Sequence, residues 1–240
     1  MSEQDAQLSI RPEYKPKAIR SYVIRAGRIT EGQRAAFDQW WPEYGLSLHD
    51  GLLDLEQTFG RQAPLVLEIG FGMGDSLLTM ARQEPEKNFI GIEVHPPGVG
   101  RLIKGAGEAE LTNLKVYMAD AIDVLDDCIP QASVDRFQLY FPDPWHKKKH
   151  HKRRIVQPAF VQKVRGKLTA DGVFHLATDW QNYAETMREV MEAAPGWENA
   201  VAPGAYAERP DYRPITKFEQ RGARLGHGVW DLLYRRLAQD

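Results

Sequence analysis

Cysteine is almost absent from this chain of 240 residues, because Cys128 is the only one. A single cysteine excludes an intrachain disulfide and fits a reducing compartment. An apolar run of about 20 residues, as a membrane-spanning helix needs, is also missing. The N-terminal segment MSEQDAQLSI lacks the apolar centre of a signal peptide. We therefore expect a cytoplasmic protein with no membrane partner.

A surplus of either charge is missing too, since 31 Lys and Arg face 33 Asp and Glu, for a formal net charge of −2. The cations are nevertheless concentrated, because residues 147–154 contain six Lys or Arg and two His with no acid among them. Segregation of this kind indicates a local anionic partner. A solvated surface loop is the alternative.

The composition, 42% apolar and 27% charged, suits one globular domain. Residues 1–30 show weak periodicity and carry scattered cations such as Arg11, Lys15 and Arg20. We interpret them as a flexible basic arm. Residues 31–240 are expected to form a single domain.

Short apolar strands alternate with amphipathic helices from residue 65 onward. Strands are predicted at residues 65–69, 88–94, 114–119, 134–141, 172–178, 197–201 and 229–237, and helices at residues 33–44, 75–83, 97–110, 121–128, 157–168 and around 183–191. Such alternation is typical of an α/β fold with a mostly parallel, seven-stranded sheet and helices on both faces. Ligands of these sheets bind at the carboxyl ends of the strands.

A glycine-rich segment, EIGFGMG, follows the first of these strands and leads into a helix. Gly70, Gly72 and Gly74 permit a tight turn and the close approach of a ligand to the backbone. The third glycine stands one residue too early for the dinucleotide-binding pattern G-x-G-x-x-G, and Asp75 takes its place, where we expect it to cap the helix. Because Glu68 would repel a pyrophosphate, a dehydrogenase fits poorly. The alternative to a ligand-binding turn is a plain strand-to-helix turn with no ligand.

Acidic residues end four successive strands. Glu68, Glu93 and Asp120 close the first three, and Asp143 follows the fourth. Each one alone is readily explained as a helix cap or a loop charge. Together, four carboxylates at one edge of a sheet repel one another unless a ligand that is cationic or rich in donors binds there. S-adenosylmethionine is such a ligand, since it carries hydroxyls, an amine and a positive sulfur but no phosphate.

The segment FPDPWHKKKHHKRR, residues 141–154, joins an acidic turn to the cationic run. Two prolines restrict the backbone on both sides of Asp143. Trp145 follows, and it either stacks on a base or forms a wall of the pocket. We expect a rigidly held carboxylate beside cations that contact phosphate.

These motifs, together with TKFE at residues 216–219, resemble the bacterial tRNA (guanine-N7)-methyltransferases. The resemblance covers roughly residues 20–238. It implies a Rossmann-like class I methyltransferase fold and a tRNA substrate. The implied reaction transfers the methyl group of S-adenosylmethionine to N7 of guanine 46 in the variable loop. We expect no metal, and a monomer with a homodimer as the alternative.

The resemblance also implies roles for individual residues. Asp143 falls on the proposed catalytic acid, and the cofactor-binding set comprises Asp143, Glu68, Gly70, Gly72, Gly74, Glu93 and Asp120. The substrate contacts fall on Lys147, Asp179, Thr216, Lys217, Phe218 and Glu219. The RNA-contacting segment comprises Lys149, His150, His151, Lys152, Arg153 and Arg154.

Methyl transfer to this atom makes few demands on acid–base groups. Guanine N7 has a free lone pair, so that no general base is needed and placement matters most. Asp143 would stabilise the positive charge that the ring gains. The carboxylates of Asp179 and Glu219 suit the donors at guanine N1 and the amino group, although Asp179 has a helix-capping role as its alternative.

Three other functions are weighed against this one. They are methyl transfer to another RNA or to a protein, RNA binding without catalysis on a degenerate sheet, and a dehydrogenase, which ranks lowest. Competition among RNA and protein substrates and calorimetry with S-adenosylmethionine separate them.

Overall fold

The computed structural model of the protein describes residues 10–16, 19–23, 30–216, 219 and 228–238. The helices are α1 (Glu31–Tyr44), α2 (Leu55–Phe59), α3 (Asp75–Gln83), α4 (Pro96–Glu108), α5 (Ala121–Asp127), α6 (Pro158–Lys167) and α7 (Gln181–Ala193). The strands are β1 (Gly45–Leu46), β2 (Leu65–Ile69), β3 (Asn88–Ile92), β4 (Leu114–Tyr117), β5 (Val134–Tyr140), β6 (Leu168–Thr178), β7 (Trp197–Asn199) and β8 (Trp230–Arg236). Short 3₁₀ helices cover Leu48–Asp50 and Lys148–Arg153.

Within the described residues, eight strands form one sheet in the order β1-β4-β3-β2-β5-β6-β8-β7. Strands β1 to β6 run parallel to one another, and β8 is antiparallel to β6 and β7. The predicted mostly parallel α/β sheet is therefore confirmed. The strand beyond the predicted seven is β1, whose two residues pair with Val116 and Tyr117 and are too short for a periodic sequence signal.

Both faces of the sheet are covered by helices. Along β2, Leu65, Leu67 and Ile69 face a core shared with α5, α6 and α7, whereas Val66 faces a second core shared with α1, α3 and α4. Successive side chains of a strand point to opposite faces, so that a strand covered on both faces is apolar throughout. In LVLEI the exception is Glu68, which makes this carboxyl a feature to explain.

Two local predictions are corrected at element boundaries. Gly74, not Asp75, is the N-cap of α3, with φ of 80° and no side-chain cap, while Asp75 is the first helical residue and pairs with Arg101 at 2.7 Å. Strand β6 begins at Leu168, before the predicted residue 172, because the pairing with β5 continues across an irregularity in the register in which Asp171 has φ of 61°.

The crevice for a ligand arises where the chain changes direction between β2 and β5. From β2 the chain builds β3 and β4 on one side and then returns to place β5 on the other side. Ligands of such sheets bind outside the carboxyl ends of the strands at this point. The first turn of α4 packs closely against the glycine turn that follows β2: a Cβ on Gly98 would lie 1.9 Å from the carbonyl oxygen of Gly72.

A buried ionic cluster ties the C-terminal part of the chain to the sheet. The guanidinium of Arg213, which is 1% exposed, donates to both carboxylate oxygens of Asp231 at 2.7 and 2.8 Å and to Glu219 at 2.7 Å. His175 lies on the neighbouring strand, and its Nε2 is 2.7 Å from Asp231. Burial lowers the pKa of His175, although Asp231 opposes this shift. Asp231 therefore accepts bonds from two buried partners.

Replacing Asp231 by Ala would leave the Arg213 guanidinium buried with fewer acceptors. We expect Asp231→Ala to lower the free energy of unfolding by about 3–5 kcal/mol, as removal of one partner of a buried pair does. Urea denaturation measures it. The matched control is Glu198→Ala, whose contact with Arg235 joins exposed side chains at 3.9 Å and contributes at most about 1 kcal/mol. If Asp231→Ala lowers the free energy of unfolding no more than the control does, the buried ionic cluster does not stabilise the fold.

Candidate active site

A cavity of about 410 Å³ opens at the carboxyl ends of the central strands. Four of the predicted cofactor residues line it, namely Gly70, Glu93, Asp120 and Asp143. Glu68 is buried at the end of β2, with 3% of its surface exposed. The topology thus brings the four strand-end acids to one edge of the sheet.

The glycine turn between β2 and α3 presents backbone donors to this edge. Gly70, Gly72 and Gly74 have φ of 75°, 59° and 80°, a region that residues with a side chain rarely adopt. The N–H of Gly72 donates to Glu93 Oε2 at 2.9 Å. The left-handed turn therefore fixes the acid that follows β3.

Glu93 is held by three backbone donors. Besides the bond from Gly72, Oε1 accepts from the N–H of Val94 at 2.7 Å and of His95 at 3.1 Å. Burial raises the pKa of Glu93, while the three hydrogen bonds oppose that shift. The carboxyl group therefore has a fixed orientation at the cavity wall.

Glu68 has no such partners. Burial raises its pKa to about 8, Arg136 opposes the shift, and the charge of Glu93 adds to it. Its Oε2 is buried without a hydrogen-bond partner among the described residues. Arg136 instead donates to Glu84 at 2.6 Å. The site thus contains a carboxyl group that is mostly neutral near pH 7 and has an unused acceptor.

Asp120 caps α5 and also contacts the N-terminal arm. Its Oδ1 accepts from the N–H of Ile122 at 2.9 Å, and its Oδ2 accepts from the hydroxyl of Tyr22 at 3.1 Å. Burial and the charge of Asp120 raise the pKa of Tyr22. Ser21, Tyr22 and Val23 all line the cavity. The sequence pattern of the arm did not reveal this contribution, because its cations outweigh its apolar residues.

The turn that carries Asp143 is conformationally restricted. Asp143 is exposed, and its Oδ1 accepts from the N–H of Trp145 at 3.0 Å. Two residues before and two residues after it, Phe141 and Trp145 have φ of 49° and 48°. Backbone in this region costs on the order of 1–3 kcal/mol per residue and persists only where its surroundings determine it. The carboxylate therefore projects from a strained turn between two fixed aromatic residues.

Trp145 forms a wall rather than an open stacking surface. It is 9% exposed, and its Nε1 donates to the carbonyl oxygen of Ser21 at 3.1 Å. The guanidinium of Arg153 lies 3.7 Å from the ring centroid and donates to the carbonyl oxygens of Arg20 and Tyr22. Trp145 and Arg153 together hold the arm on the cavity.

The predicted RNA-contacting run is divided by the structure. Arg154 is corrected from an RNA contact to a structural residue: it is 2% exposed and donates to Pro144, Thr186 and Asn182 at 2.8–2.9 Å. Burial lowers the pKa of its guanidinium. His150 and His151 are half-buried on the 3₁₀ helix. The exposed cations of the run are Lys147, Lys148, Lys149 and Lys152.

A second cavity, of about 1030 Å³, lies next to the first and shares Phe141 and Pro142 with it. Asp179 and Trp180 line it at the end of β6. The alternative that Asp179 caps α7 is wrong, because Trp180 holds the cap position and no side chain caps the helix. Among the described residues, no hydrogen-bond partner faces the half-buried carboxylate of Asp179.

The TKFE segment is tied to the buried cluster. Glu219 accepts from Arg213 and from the N–H of Thr216, and its own N–H donates to the Thr216 hydroxyl. Glu219 is thus a partner of Arg213, a residue that the sequence pattern did not indicate, and its role as a guanine acceptor stays a prediction. Lys217 and Phe218 lie outside the described residues.

Two features are absent from the part of the chain that the structure describes. No group of three or more His, Cys, Asp or Glu is arranged to hold a metal ion. No helix there is both long and apolar enough to cross a bilayer.

Comparison with known proteins places this geometry in a family. A family described as putative methyltransferases matches residues 62–232. The tRNA (guanine-N(7)-)-methyltransferase of Saccharophagus degradans is 65% identical over 227 residues, which cover 95% of this chain and 99% of that protein. The enzyme of the same name from Pseudoalteromonas atlantica is 60% identical over 222 residues, covering 92% and 93%.

Solved structures show the same fold at low sequence identity. The 16S rRNA methyltransferase KamB is 16% identical with a TM-score of 0.55, covering 92% of this chain and 99% of that one. The antibiotic-resistance methyltransferase Kmr is 13% identical with a TM-score of 0.53, covering 81% and 95%. The strand-end acids, the glycine turn and the Asp143 turn thus stand on a methyltransferase fold, and with these relatives the chain belongs to the family of bacterial tRNA (guanine-N7)-methyltransferases.

Proposed function

We propose that the chain methylates N7 of guanine 46 in the variable loop of tRNA, in the cytoplasm, with S-adenosylmethionine as methyl donor. The observation that carries the proposal is the position of Asp143. This exposed carboxylate stands on a strained turn between the acid-lined cavity and the exposed lysines. One side suits a cationic, donor-rich cofactor, and the other suits a polyanion.

The residues of the first cavity fit such a cofactor. The unpartnered buried oxygen of Glu68 is suited to a ligand that brings a donor, and a positive charge on that ligand would favour the charged form of this carboxyl group. Glu68, Glu93, Asp120 and the turn of Gly70, Gly72 and Gly74 would hold the cofactor, together with Asp143. When bound, it supplies a methyl group activated on a positively charged sulfur.

Asp143 is the residue that we assign to catalysis. It need not remove a proton, because guanine N7 carries a free lone pair. The acceptor ring becomes positive as it gains a methyl group, and a fixed carboxylate stabilises that charge. The bond from the N–H of Trp145 holds the carboxylate, so that little reorganisation is needed at the moment of reaction.

Phosphate contacts fall on the exposed lysines of the run, 147, 148, 149 and 152. Contacts to phosphate provide affinity and position without reading sequence. A monomer suffices for this arrangement, since residues of one chain line both cavities. Within it, residues 1–30 serve as an arm on the catalytic domain of residues 31–240.

The reaction is tested by mapping the product. Purified enzyme with labelled S-adenosylmethionine and an unmodified tRNA transcript is expected to place label on N7 of guanine 46, identified by nucleoside analysis and by sequencing at the methylated position. A transcript with adenosine at position 46 is the control and should remain unlabelled. Label at another atom, or label on the control transcript, would contradict the assignment of guanine 46 N7 as the target.

Neutral replacements of Asp143 separate charge from geometry. Asp143→Ala and Asp143→Asn are both expected to lower kcat by about 10²–10³-fold, as loss of an electrostatic stabiliser does. Binding of tRNA should change by less than about twofold, because phosphate contacts dominate affinity. Asp171→Asn, with the same charge change near the start of β6, is the matched control. Near-wild-type turnover of Asp143→Asn would show that the negative charge of Asp143 does not contribute to catalysis.

The exposed lysines predict the salt dependence of binding. Combining Lys148→Ala, Lys149→Ala and Lys152→Ala should reduce the slope of log affinity against log salt by about 2–3, since each phosphate contact contributes about 0.7–0.9. The control combines Arg34→Ala, Arg82→Ala and Lys104→Ala, exposed cations of α1, α3 and α4. Filter binding across salt concentrations measures both. Equal slopes for the two triple variants would contradict phosphate binding by these lysines and would favour the alternative of a solvated surface loop.

A further inference from the structure

We propose that Trp180 is the surface on which the target guanine stacks, in the second cavity beside the predicted substrate residue Asp179. This inference rests on the proposed function and specifies how its acceptor is bound. Trp180 is 41% exposed, which is unusual for so large an apolar side chain beside a cavity.

The relation between the two cavities carries the first step. Phe141 and Pro142 line both, Asp143 lines the first, and Pro144 lines the second. The strained turn is thus the partition between them. Because the strand-end acids occupy the first cavity, an acceptor base reaches the partition from the second one.

Among the described Phe, Tyr and Trp residues that line the two cavities, Trp180 has the most exposed side chain. Trp145 is covered by Arg153. Phe141 and Trp230 are half-buried in the wall of the second cavity. Bases that are turned out of a nucleic acid are commonly held on aromatic faces, which contribute about 1–3 kcal/mol per base.

Trp180 is fixed at its backbone, and its ring has one aromatic neighbour. Its backbone N–H donates to the hydroxyl of Thr178, a residue with 1% exposure, at 3.2 Å. The imidazole of His146 lies 4.2 Å from its ring, edge on, with an interplanar angle of 70°. A platform of this kind loses little freedom when a base binds to it.

Asp179 supplies the selectivity that stacking lacks. Its carboxylate is half-buried in the same cavity and has no hydrogen-bond partner among the residues described. A carboxylate accepts two bonds from N1–H and the amino group of guanine, whereas adenine does not present that pair of donors. A site built for such bonds rejects a base that lacks them.

A double-mutant cycle between enzyme and RNA tests the stacking directly. Affinity is measured for two unmodified tRNA transcripts, one with guanosine and one with an abasic nucleotide at position 46, with S-adenosylhomocysteine present to prevent turnover. Trp180→Ala should weaken binding of the guanosine transcript about 5–150-fold more than that of the abasic transcript, the range that corresponds to stacking of one base. Trp180→Phe should restore most of the difference.

Two controls keep the result interpretable. Leu52→Ala removes another exposed apolar side chain, 66% exposed, beside a cavity at β1, and should affect neither transcript. Equal losses on both transcripts for Trp180→Ala indicate a structural role and overturn the inference, as does the absence of any loss.

Failure of this inference is distinguishable from failure of the proposed function. A wild-type enzyme that methylates guanine 46, with no coupling to Trp180, overturns the stacking alone. If methylation maps to a different guanine, the abasic nucleotide is placed there and the same criteria apply. A wild-type enzyme that methylates no guanine of tRNA overturns both.

Discussion

Four carboxyl groups at the end of one parallel sheet impose the constraint on which this site depends. Like charges cannot be gathered in a partly buried cavity unless donors or protons compensate for them. The chain uses both means: Glu93 accepts three backbone hydrogen bonds, whereas burial raises the pKa of Glu68 to about 8. The cavity therefore keeps fewer full charges than its sequence suggests.

The donors that satisfy these acids also determine the shape of the surrounding loops. Gly72 must adopt a left-handed conformation to direct its N–H toward Glu93. Tyr22 reaches Asp120 from the arm, while Trp145 and Arg153 hold the arm's backbone. The hydrogen bonds that compensate the acids therefore also fix the loops. Through these contacts, Ser21, Tyr22 and Val23 of the arm form part of the cavity wall.

Sequence periodicity predicts the strands, because a strand covered on both faces is apolar along its length. The acids are recognisable because they interrupt these apolar runs where the strands end. The same approach treats residues 147–154 as uniform, although Arg154 is buried and Lys149 is exposed. Only the tertiary partners on α7 distinguish them. The pairing of Glu219 with Arg213 is likewise a tertiary contact that the sequence pattern does not indicate.

Within residues 147–154, the buried cation is Arg154 and the exposed cations are lysines. Arg154 and Arg213 each satisfy several acceptors with one planar guanidinium, and such a group tolerates burial where its donors are all matched. The ammonium groups of the exposed lysines of the run are strongly hydrated, and a compact charge of this kind attracts an anion from any direction. The cation that holds the turn is therefore separate from the lysines to which we assign the phosphate contacts. Under the proposed function, this separation lets phosphate affinity change without disturbing the carboxylate of Asp143, and it lets the chemistry of the site change without loss of binding.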